Sequence, residues 1–308
     1  MSDGREVGDG GALEHGSPEG RRTGAGTSRR DFLIRTAAAA AGVGALGGLG
    51  AGEVRGIAGP TSHGPVARAA ARAPLRADEP VRIGVVGTGG MGTEHCRALL
   101  RLTQDGRTDM QLVAIADVCQ PRMEVALKKC LEAGAKSSIR AFSDYRHLLA
   151  DPTIHGVLIA APEHWHARIA EDAILSGKDV YIEKPMTLRL DEALRLRQVV
   201  RANPSAVAVV GTQYVMYSSY QDAKRLIAEG VIGKPVFSQT SYCRNSKDGE
   251  WLYYEIDPNW QPGVNLDWDT WCGPLGRRPW NPEVYARWRR YRDYSTGIIG
   301  DLLVHRIA

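Results

Sequence analysis

The sequence predicts an α/β protein built around a doubly wound parallel sheet. Between residues 81 and 210, short apolar runs with β-branched residues alternate with longer amphipathic segments, which is typical of parallel strands covered by helices. A glycine-rich turn directly follows the first apolar run. The composition changes near residue 79 and the alternation ends near 212, so we expect three segments: 1–78, 79–212 and 213–308.

The first apolar run, 81–86, predicts a buried strand, and an amphipathic segment to about 102 predicts a helix. A G-x-G-x-x-G motif joins them. Its first glycine allows a tight turn, its second lets the backbone approach a pyrophosphate, and its third lets helix and strand pack closely. The helix N-terminus offers free N–H groups to phosphate oxygens. We therefore predict a dinucleotide-binding loop made of Gly87, Thr88, Gly89, Gly90, Met91 and Gly92.

A second predicted strand, 112–116, is followed by Asp117. An acidic residue at this position holds the ribose hydroxyls of the adenosine, which favours NAD over NADP. Arg122 lies nearby in the sequence, and an arginine can instead contact the 2′-phosphate of NADP. The cofactor prediction is therefore NAD or NADP, with NAD favoured.

Three further strands are predicted at 156–160, 179–182 and 206–210, and helices at 121–132, 164–175 and 191–202. This alternation makes residues 79–212 a Rossmann domain in the prediction. Ligands of such sheets bind beyond the carboxyl ends of the strands. Two strand ends carry reactive side chains: Pro-Glu-His-Trp-His-Ala at 162–167 and Glu-Lys-Pro at 183–185.

These two strand ends resemble the Gfo/Idh/MocA family of oxidoreductases, and the first is similar to the twin-arginine-exported branch of that family. The resemblance implies that Lys184 contacts both the substrate hydroxyl and the nicotinamide region, and that a cis bond precedes Pro185. An ammonium group here can hydrogen-bond the oxygen whose charge changes during hydride transfer. The cofactor-contacting residues that the resemblance implies are Pro162, Glu163, His166, Glu183, Lys184 and Pro185.

His164 and His166 form an H-x-H pair, but no third ligand has suitable spacing for a metal. We predict no metal site, interpret His166 as a pocket-wall residue and leave the role of His164 open.

The region after 212 predicts a helix at 219–229 and a strand near 236–242. The resemblance implies that this strand begins the open, mostly antiparallel sheet of an α+β substrate domain, through which family members often pair into homo-oligomers. Relatives continue well past this region, so we expect residues 213–308 to form only part of such a domain. The aromatic residues of 266–274 and 285–294 either stack on a sugar ring or pack against the sheet, and both interpretations stay open.

Asp301 and His305 are four residues apart, which places them on one face of a helix. A carboxylate beside an imidazole fixes its tautomer and raises its basicity, as a general base requires. Spacing alone favours an ordinary surface pair, but the resemblance implies that Asp301 and His305 are the catalytic residues of a D-x-x-x-H motif.

These residues predict a nicotinamide-dependent oxidoreductase that reversibly oxidises a secondary alcohol of a sugar or cyclitol. His305 would remove the hydroxyl proton, Lys184 would position the oxygen, and Asp301 would orient His305. Two alternatives stay open: an NAD-dependent glycosidase acting by transient sugar oxidation, and a non-catalytic cofactor-binding fragment. Exported relatives of the glycosidase type tend to lack the lysine of Glu-Lys-Pro, so Lys184 argues against the first.

Composition limits the other function classes. A hydrophobic share of 43% and a charged share of 24% are ordinary for a soluble globular protein. The net charge is only +4, and no basic run interleaves with aromatics, so a nucleic-acid partner is not expected. The five cysteines lack C-x-x-C spacing and are predicted to be small core residues.

Residues 1–78 are predicted to be a targeting segment and a disordered linker. Ser-Arg-Arg-Asp-Phe-Leu at 28–33 precedes a weakly apolar, Ala/Gly-rich stretch, and this arrangement resembles the twin-arginine export signal. We therefore expect the twin-arginine export machinery as a partner and a periplasmic or cell-envelope location. Because this route carries folded proteins, a cofactor can be loaded before export.

Overall fold

Six short apolar runs form one parallel sheet in the computed structural model, which describes residues 75–76, 78–135 and 138–307. The strand order is β3-β2-β1-β4-β5-β6, the order of a doubly wound dinucleotide-binding sheet. The Rossmann prediction is therefore confirmed. The strands are β1 (Val81–Val86), β2 (Met110–Ala116), β3 (Arg140–Phe142), β4 (Gly156–Ile159), β5 (Asp179–Ile182) and β6 (Ala208–Val210).

Helices follow the strands along the chain and continue beyond the sheet. A π-helical turn, Ile299–Leu303, comes directly before the last of them. The α-helices are α1 (Gly90–Gln104), α2 (Gln120–Glu132), α3 (Tyr145–Ala150), α4 (Glu163–Leu175), α5 (Leu190–Ala202), α6 (Ser218–Ala228), α7 (Trp268–Cys272), α8 (Pro282–Ala286) and α9 (Val304–Ile307).

Helices cover both faces of the sheet. Successive side chains of a strand point to opposite faces, so neighbouring residues pack against different helices. Val85 packs in a cluster with residues of α1 and α2, whereas its neighbour Val86 packs in a second cluster with residues of α4 and α5. Cys96 and Cys130 belong to the first cluster. Four of the five cysteines are buried, as predicted, but Cys243 is exposed and not a core residue.

Aromatic residues of the second half form a third buried cluster that lies against the end of β2. Trp268, Trp271 and Tyr285 pack with Cys119, and the Asp267 amide donates to the Val118 carbonyl at 2.9 Å. Packing therefore accounts for both tryptophans of 266–274. The cluster matters for function because it places the second half at the carboxyl edge of the sheet.

Two parts of the fold differ from the prediction. Strand β3 and helix α3 were not predicted from the sequence. The strand predicted near 236–242 is wrong: those residues form no regular element, and all but Tyr242 are exposed, Val236 by 90%. A strand is stable only when neighbouring strands complete its hydrogen bonds, and no described residue after 210 belongs to a strand.

The predicted twin-arginine signal at 28–33 lies outside the described residues, and so does nearly all of the predicted 1–78 segment. The boundaries predicted at 78/79 and 212/213 stay predictions. Within the described part of the chain, every helix is too short or too polar to span a bilayer.

Candidate active site

The glycine loop after β1 packs closely against the protein at Gly87 and Gly92 but has open space at Gly90. Gly87 has a φ of +89°, and a Cβ there would lie 2.5 Å from the Ala161 amide nitrogen. A Cβ on Gly92 would overlap the carbonyl oxygen of Gly87. At Gly90, in contrast, a Cβ would meet nothing within 4 Å. The loop therefore presents bare backbone at the start of α1, as a phosphate group requires.

Replacing Gly92 with alanine is expected to disrupt this loop, because the added methyl group collides with the Gly87 backbone. We expect NADH affinity to fall by about 100-fold or more, since the turn that carries the phosphate cradle must shift, and stability to fall by roughly 1–3 kcal/mol, as for other overpacked sites. Fluorescence titration and thermal unfolding measure the two effects. Gly90→Ala is the matched stability control and should melt like the wild type; a wild-type NADH affinity for Gly92→Ala would contradict the assignment of the loop.

Asp117 is engaged by the loop itself. One carboxylate oxygen accepts hydrogen bonds from the Thr88 amide at 2.6 Å and from Oγ1 of Thr88 at 3.0 Å, and the other accepts from the Cys119 amide at 2.9 Å. Thr88 is buried, and its carbonyl accepts from Oγ1 of Thr93. Asp117 thus fixes the loop to the end of β2 while still lining the cavity beside it.

Arg122 connects this corner to the second half of the chain. Its Nε donates to the Tyr285 hydroxyl at 3.0 Å, and its guanidinium lies 4.9 Å from the ring centre of Trp260 and 5.1 Å from that of Tyr285. Such cation–π contacts hold a guanidinium in place. Arg122 also lies 3.7 Å from the position of a Cβ on Gly89, so it stands beside the phosphate cradle.

A cavity of about 350 Å³ extends along the carboxyl edge of the sheet, within the usual size range of ligand pockets. Residues of both halves line it. Predicted cofactor residues in its wall are Gly87, Gly89, Gly90, Met91, Asp117 and Pro162, and residues of the second half are Tyr254, Thr270, Trp271, Tyr285, Ala286, Trp288 and Arg289.

Lys184 and Asp301, predicted to be catalytic, lie in contact. Nζ of Lys184 donates to the backbone carbonyl of Asp301 at 2.6 Å and to its carboxylate at 3.2 Å. The same carboxylate oxygen accepts from Nε of Arg289 at 3.2 Å. Both side chains of the Lys184–Asp301 pair are less than a tenth exposed. Since Arg289 also lines the cavity, it connects this ion cluster with the cofactor crevice.

His305 is buried beside the cluster but is not held by Asp301 as predicted. Among the described residues Nδ1 of His305 has no hydrogen-bond partner, and the ring stacks on Tyr214 with centroids 5.2 Å apart. The prediction assumed a regular α-helix, whereas Asp301 lies in the wider π-helical turn, which changes the angle between the two side chains. Burial lowers the pKa of His305, and the nearby Lys184 ammonium lowers it further.

The remaining predicted residues hold the two strand ends together. Ring nitrogens of the buried His166 lie 2.7 Å from the carbonyl oxygens of Pro185 and Ala161, so His166 ties the end of β4 to the end of β5. The peptide bond between Lys184 and Pro185 is cis, as predicted. Burial lowers the pKa of His166. A neutral imidazole has one N–H donor, so a neutral His166 donates to one of these two carbonyls at a time.

Glu183 and His164 have partners that the sequence did not reveal. His95, on α1, donates from Nε2 to the Glu183 carboxylate at 2.7 Å. His164 donates from Nε2 to the Trp271 carbonyl at 2.7 Å, and burial lowers its pKa to about 4. His164 is therefore a neutral core residue between α4 and α7.

Three side chains of this region were missed: His95, Arg289 and Thr296, which contacts Glu163. Each contacts a residue of a different segment of the chain, at least 12 positions away. Local sequence patterns do not indicate such contacts. For Arg289 the only hint was its place in an Arg/Tyr/Trp-rich run.

Two sequence models of one oxidoreductase family, GFO_IDH_MocA, match the chain. The model of its NAD-binding Rossmann fold matches residues 81–211, and the model of its C-terminal alpha/beta domain matches residues 216–308. Together they span most of the described residues.

Individual relatives match about half of the chain. The chain is 32% identical over 156 residues to inositol 2-dehydrogenase 1 of Saccharopolyspora erythraea, covering 51% of this chain and 44% of that protein. It is 31% identical over 158 residues to scyllo-inositol 2-dehydrogenase (NAD(+)) of Bacillus subtilis, covering 51% and 43%. A solved structure of scyllo-inositol dehydrogenase from Lactobacillus casei with bound NAD(H) and scyllo-inositol is 27% identical with a TM-score of 0.44, covering 50% and 43%. The match thus spans less than half the length of these relatives.

Proposed function

Because the chain belongs to the Gfo/Idh/MocA oxidoreductase family, we propose that it oxidises a secondary alcohol of a sugar or cyclitol with a nicotinamide cofactor. The observation that carries this proposal is the buried contact of Lys184 with Asp301, next to His305 and at the carboxyl end of β5. A lysine, a carboxylate and a histidine at the edge of a dinucleotide-binding sheet suit proton transfer beside hydride transfer.

The cofactor would lie along the cavity, with its pyrophosphate at the bare backbone of Gly89 and Gly90. When bound, the nicotinamide ring accepts a hydride from the alcohol carbon. Asp117 at the end of β2 supports NAD, because a carboxylate there accepts ribose hydroxyls and repels a 2′-phosphate. The guanidinium of Arg122 is held in the cavity wall by Tyr285 and Trp260, where it could meet a 2′-phosphate, so the preference for NAD rests on Asp117.

The second half supports tight retention of the cofactor. Tyr254, Trp271, Tyr285 and Trp288 line the cavity together with the glycine loop. A ligand in the cavity therefore contacts both halves of the chain, and these contacts add to its affinity. Retention suits an exported enzyme, because the cofactor is then carried from the cytoplasm with the protein.

In the oxidation direction, His305 accepts the hydroxyl proton as the hydride leaves the same carbon. Its lowered pKa keeps the imidazole neutral near pH 7 and ready to act as a base. Lys184 uses two of its three N–H donors on Asp301, which leaves the third for the substrate oxygen. Asp301 holds both Lys184 and Arg289, so we assign it the role of fixing these two cations.

The substrate class rests on the relatives, several of which are named inositol 2-dehydrogenases. Every hydroxyl of an inositol is a secondary alcohol with one hydrogen on its carbon, and hydride transfer removes that hydrogen. We therefore propose a cyclitol or a pyranose sugar as the substrate.

The experiment is to purify the full chain from cytoplasm, denature it and identify the released nucleotides by mass spectrometry. Near-stoichiometric NAD is expected. The native protein is then mixed with myo-inositol, scyllo-inositol and common pyranoses, and reduced cofactor is followed by absorbance. Bound nucleotide without turnover of any polyol would indicate a non-catalytic binding protein, and release of free sugar from an aryl glycoside would indicate the glycosidase; either result overturns the proposal.

We further propose that the protein is exported by the twin-arginine route. The support is the Ser-Arg-Arg-Asp-Phe-Leu sequence at 28–33, followed by an Ala/Gly-rich stretch. Replacing Arg29 and Arg30 with lysine should retain the protein in the cytoplasm, as cell fractionation would show. Equal export of the double variant would refute this route.

A further inference from the structure

Glu163 begins helix α4 directly after Pro162, and its carboxylate is directed into the protein. The residue is 1% exposed. One oxygen accepts a hydrogen bond from Oγ of Ser295 at 2.8 Å, and the other accepts from the backbone amide and Oγ1 of Thr296, at 2.6 and 2.8 Å. The partners lie more than 130 positions later in the sequence. The carboxylate therefore joins the end of β4 to the segment that leads to Asp301.

This segment is connected to the ion cluster by further close contacts. The amide of Gly297 donates to Oγ of Ser295 at 3.0 Å. Oγ1 of Thr296 lies so close to Gly300 that a Cβ at that position would overlap it. The next residue is Asp301, whose carbonyl accepts from Nζ of Lys184 at 2.6 Å. A shift of Thr296 is thus transmitted to Gly300 and from there to Asp301.

The hydrogen bonds around Glu163 suit a carboxylate at this position. A buried carboxylate without an ion-pair partner needs several hydrogen bonds, and Glu163 has no ion pair among the residues that the structure describes. Burial raises its pKa, and the nearby Asp301 raises it further. Charge-assisted hydrogen bonds are short and directional, so three of them restrict the position of residues 295–296 closely.

We propose that Glu163 is a positioning residue, which fixes the turn at residues 295–301 so that Asp301 and His305 meet Lys184 in the geometry that the reaction needs. This deepens the proposed function and rests on it for its kinetic consequences. It differs from the cofactor contact predicted from the sequence, which stays a prediction: both oxygens of Glu163 accept hydrogen bonds from Ser295 and Thr296.

The test uses the full chain with its cofactor and five variants, of which Thr296→Ser restores the hydroxyl group. Glu163→Ala removes all three hydrogen bonds, Glu163→Gln keeps the shape and some of them, and Thr296→Val removes only the hydroxyl contact. Glu192→Ala is the matched control: Glu192 is also a carboxylate that accepts backbone N–H bonds, from Leu188 and Arg189, and burial raises its pKa as well, but it caps α5, away from the ion cluster.

Two measurements are made on each variant. The first is kcat and KM for the polyol found with the wild type. Glu163→Ala should lower kcat by about 100-fold, the cost of misplacing reacting groups by roughly 1 Å, with KM and NADH affinity much less affected. Glu163→Gln and Thr296→Val should be intermediate, and Thr296→Ser should restore the rate. Glu192→Ala should melt at a lower temperature but keep kcat.

The second measurement is an NMR titration of His305, assigned with a His305→Asn variant. His305 faces Lys184, Glu183 and Asp301, and Arg306 lies on the Tyr214 ring behind it. Release of the turn in Glu163→Ala should expose His305 and raise its pKa towards the ordinary value, whereas Glu192→Ala should leave it unchanged. An unchanged His305 titration, or a kcat loss no larger than in Glu192→Ala, would overturn the positioning role. If the titration shifts but the wild type oxidises no polyol, the positioning role stands and the proposed reaction fails.

Discussion

Replacing Lys184 with methionine is expected to lower kcat/KM for alcohol oxidation by about 10³-fold, or about 4 kcal/mol of transition-state stabilisation. The variant loses the ammonium group that lies at the end of β5 and next to His305. Its loss also leaves the Asp301 carboxylate with Arg289 as its remaining partner. NADH affinity should change much less than turnover, because the glycine loop and Asp117 are untouched. Steady-state kinetics and fluorescence titration of the same preparation separate the two effects.

Lys178 provides the matched control for this prediction. It is also a buried lysine at the edge of β5, and its Nζ donates to the carbonyls of Asp151 and Ile154, at the opposite end of the strand from Lys184. Lys178→Met should lower the melting temperature, since it removes a hydrogen-bond donor from the buried carbonyl of Ile154, and should keep most of the turnover. Equal turnover losses in the two variants, or none in Lys184→Met, would show that Lys184 has no special part in the reaction.

The Rossmann half could be predicted because its strands are specified locally. Runs such as Gly-Val-Leu-Ile at 156–159 are buried on both faces, so each is continuously apolar and recognisable without its neighbours. Strand β3 has only three residues, and Arg140 and Ala141 are exposed. Such an edge strand has no apolar pattern of its own, because its position depends on pairing with β2. This explains why β3 and the short helix after it were missed.

Site residues that directly follow a strand could be predicted from the sequence. Site residues whose role depends on contacts between distant positions could not. The positions of the glycine loop, Asp117 and Lys184 follow from the order of strands alone. The contacts of Asp301 with Lys184 and Arg289 cross 117 and 12 positions of the sequence. Spacing suggested instead that Asp301 binds His305, because a π-helical turn cannot be distinguished from an α-helix by spacing.

Replacing His305 with asparagine is expected to lower the oxidation rate by about 10²–10⁴-fold, the usual contribution of a general base, and to change its pH dependence. Burial lowers the pKa of His305 below its ordinary value of 6.5, Lys184 lowers it further, and Glu183 and Asp301 oppose the shift. Oxidation needs the neutral ring. The decline of wild-type kcat/KM with falling pH should therefore begin at a lower pH than an ordinary histidine base would give. Carbonyl reduction needs the protonated ring and should show the opposite trend.

The same titration connects His305 with Lys184. Because the Lys184 ammonium disfavours the protonated imidazole, Lys184→Met should move the acid limb of the residual activity to higher pH, whereas His305→Asn should abolish that limb. His147→Asn, at an exposed position on α3, is the control and should leave the profile unchanged. An acid limb that persists in His305→Asn would mean that another group accepts the proton. A limb that does not move in Lys184→Met would mean that the ammonium and the imidazole do not act on each other, and a shared active site for the two residues could then no longer be maintained.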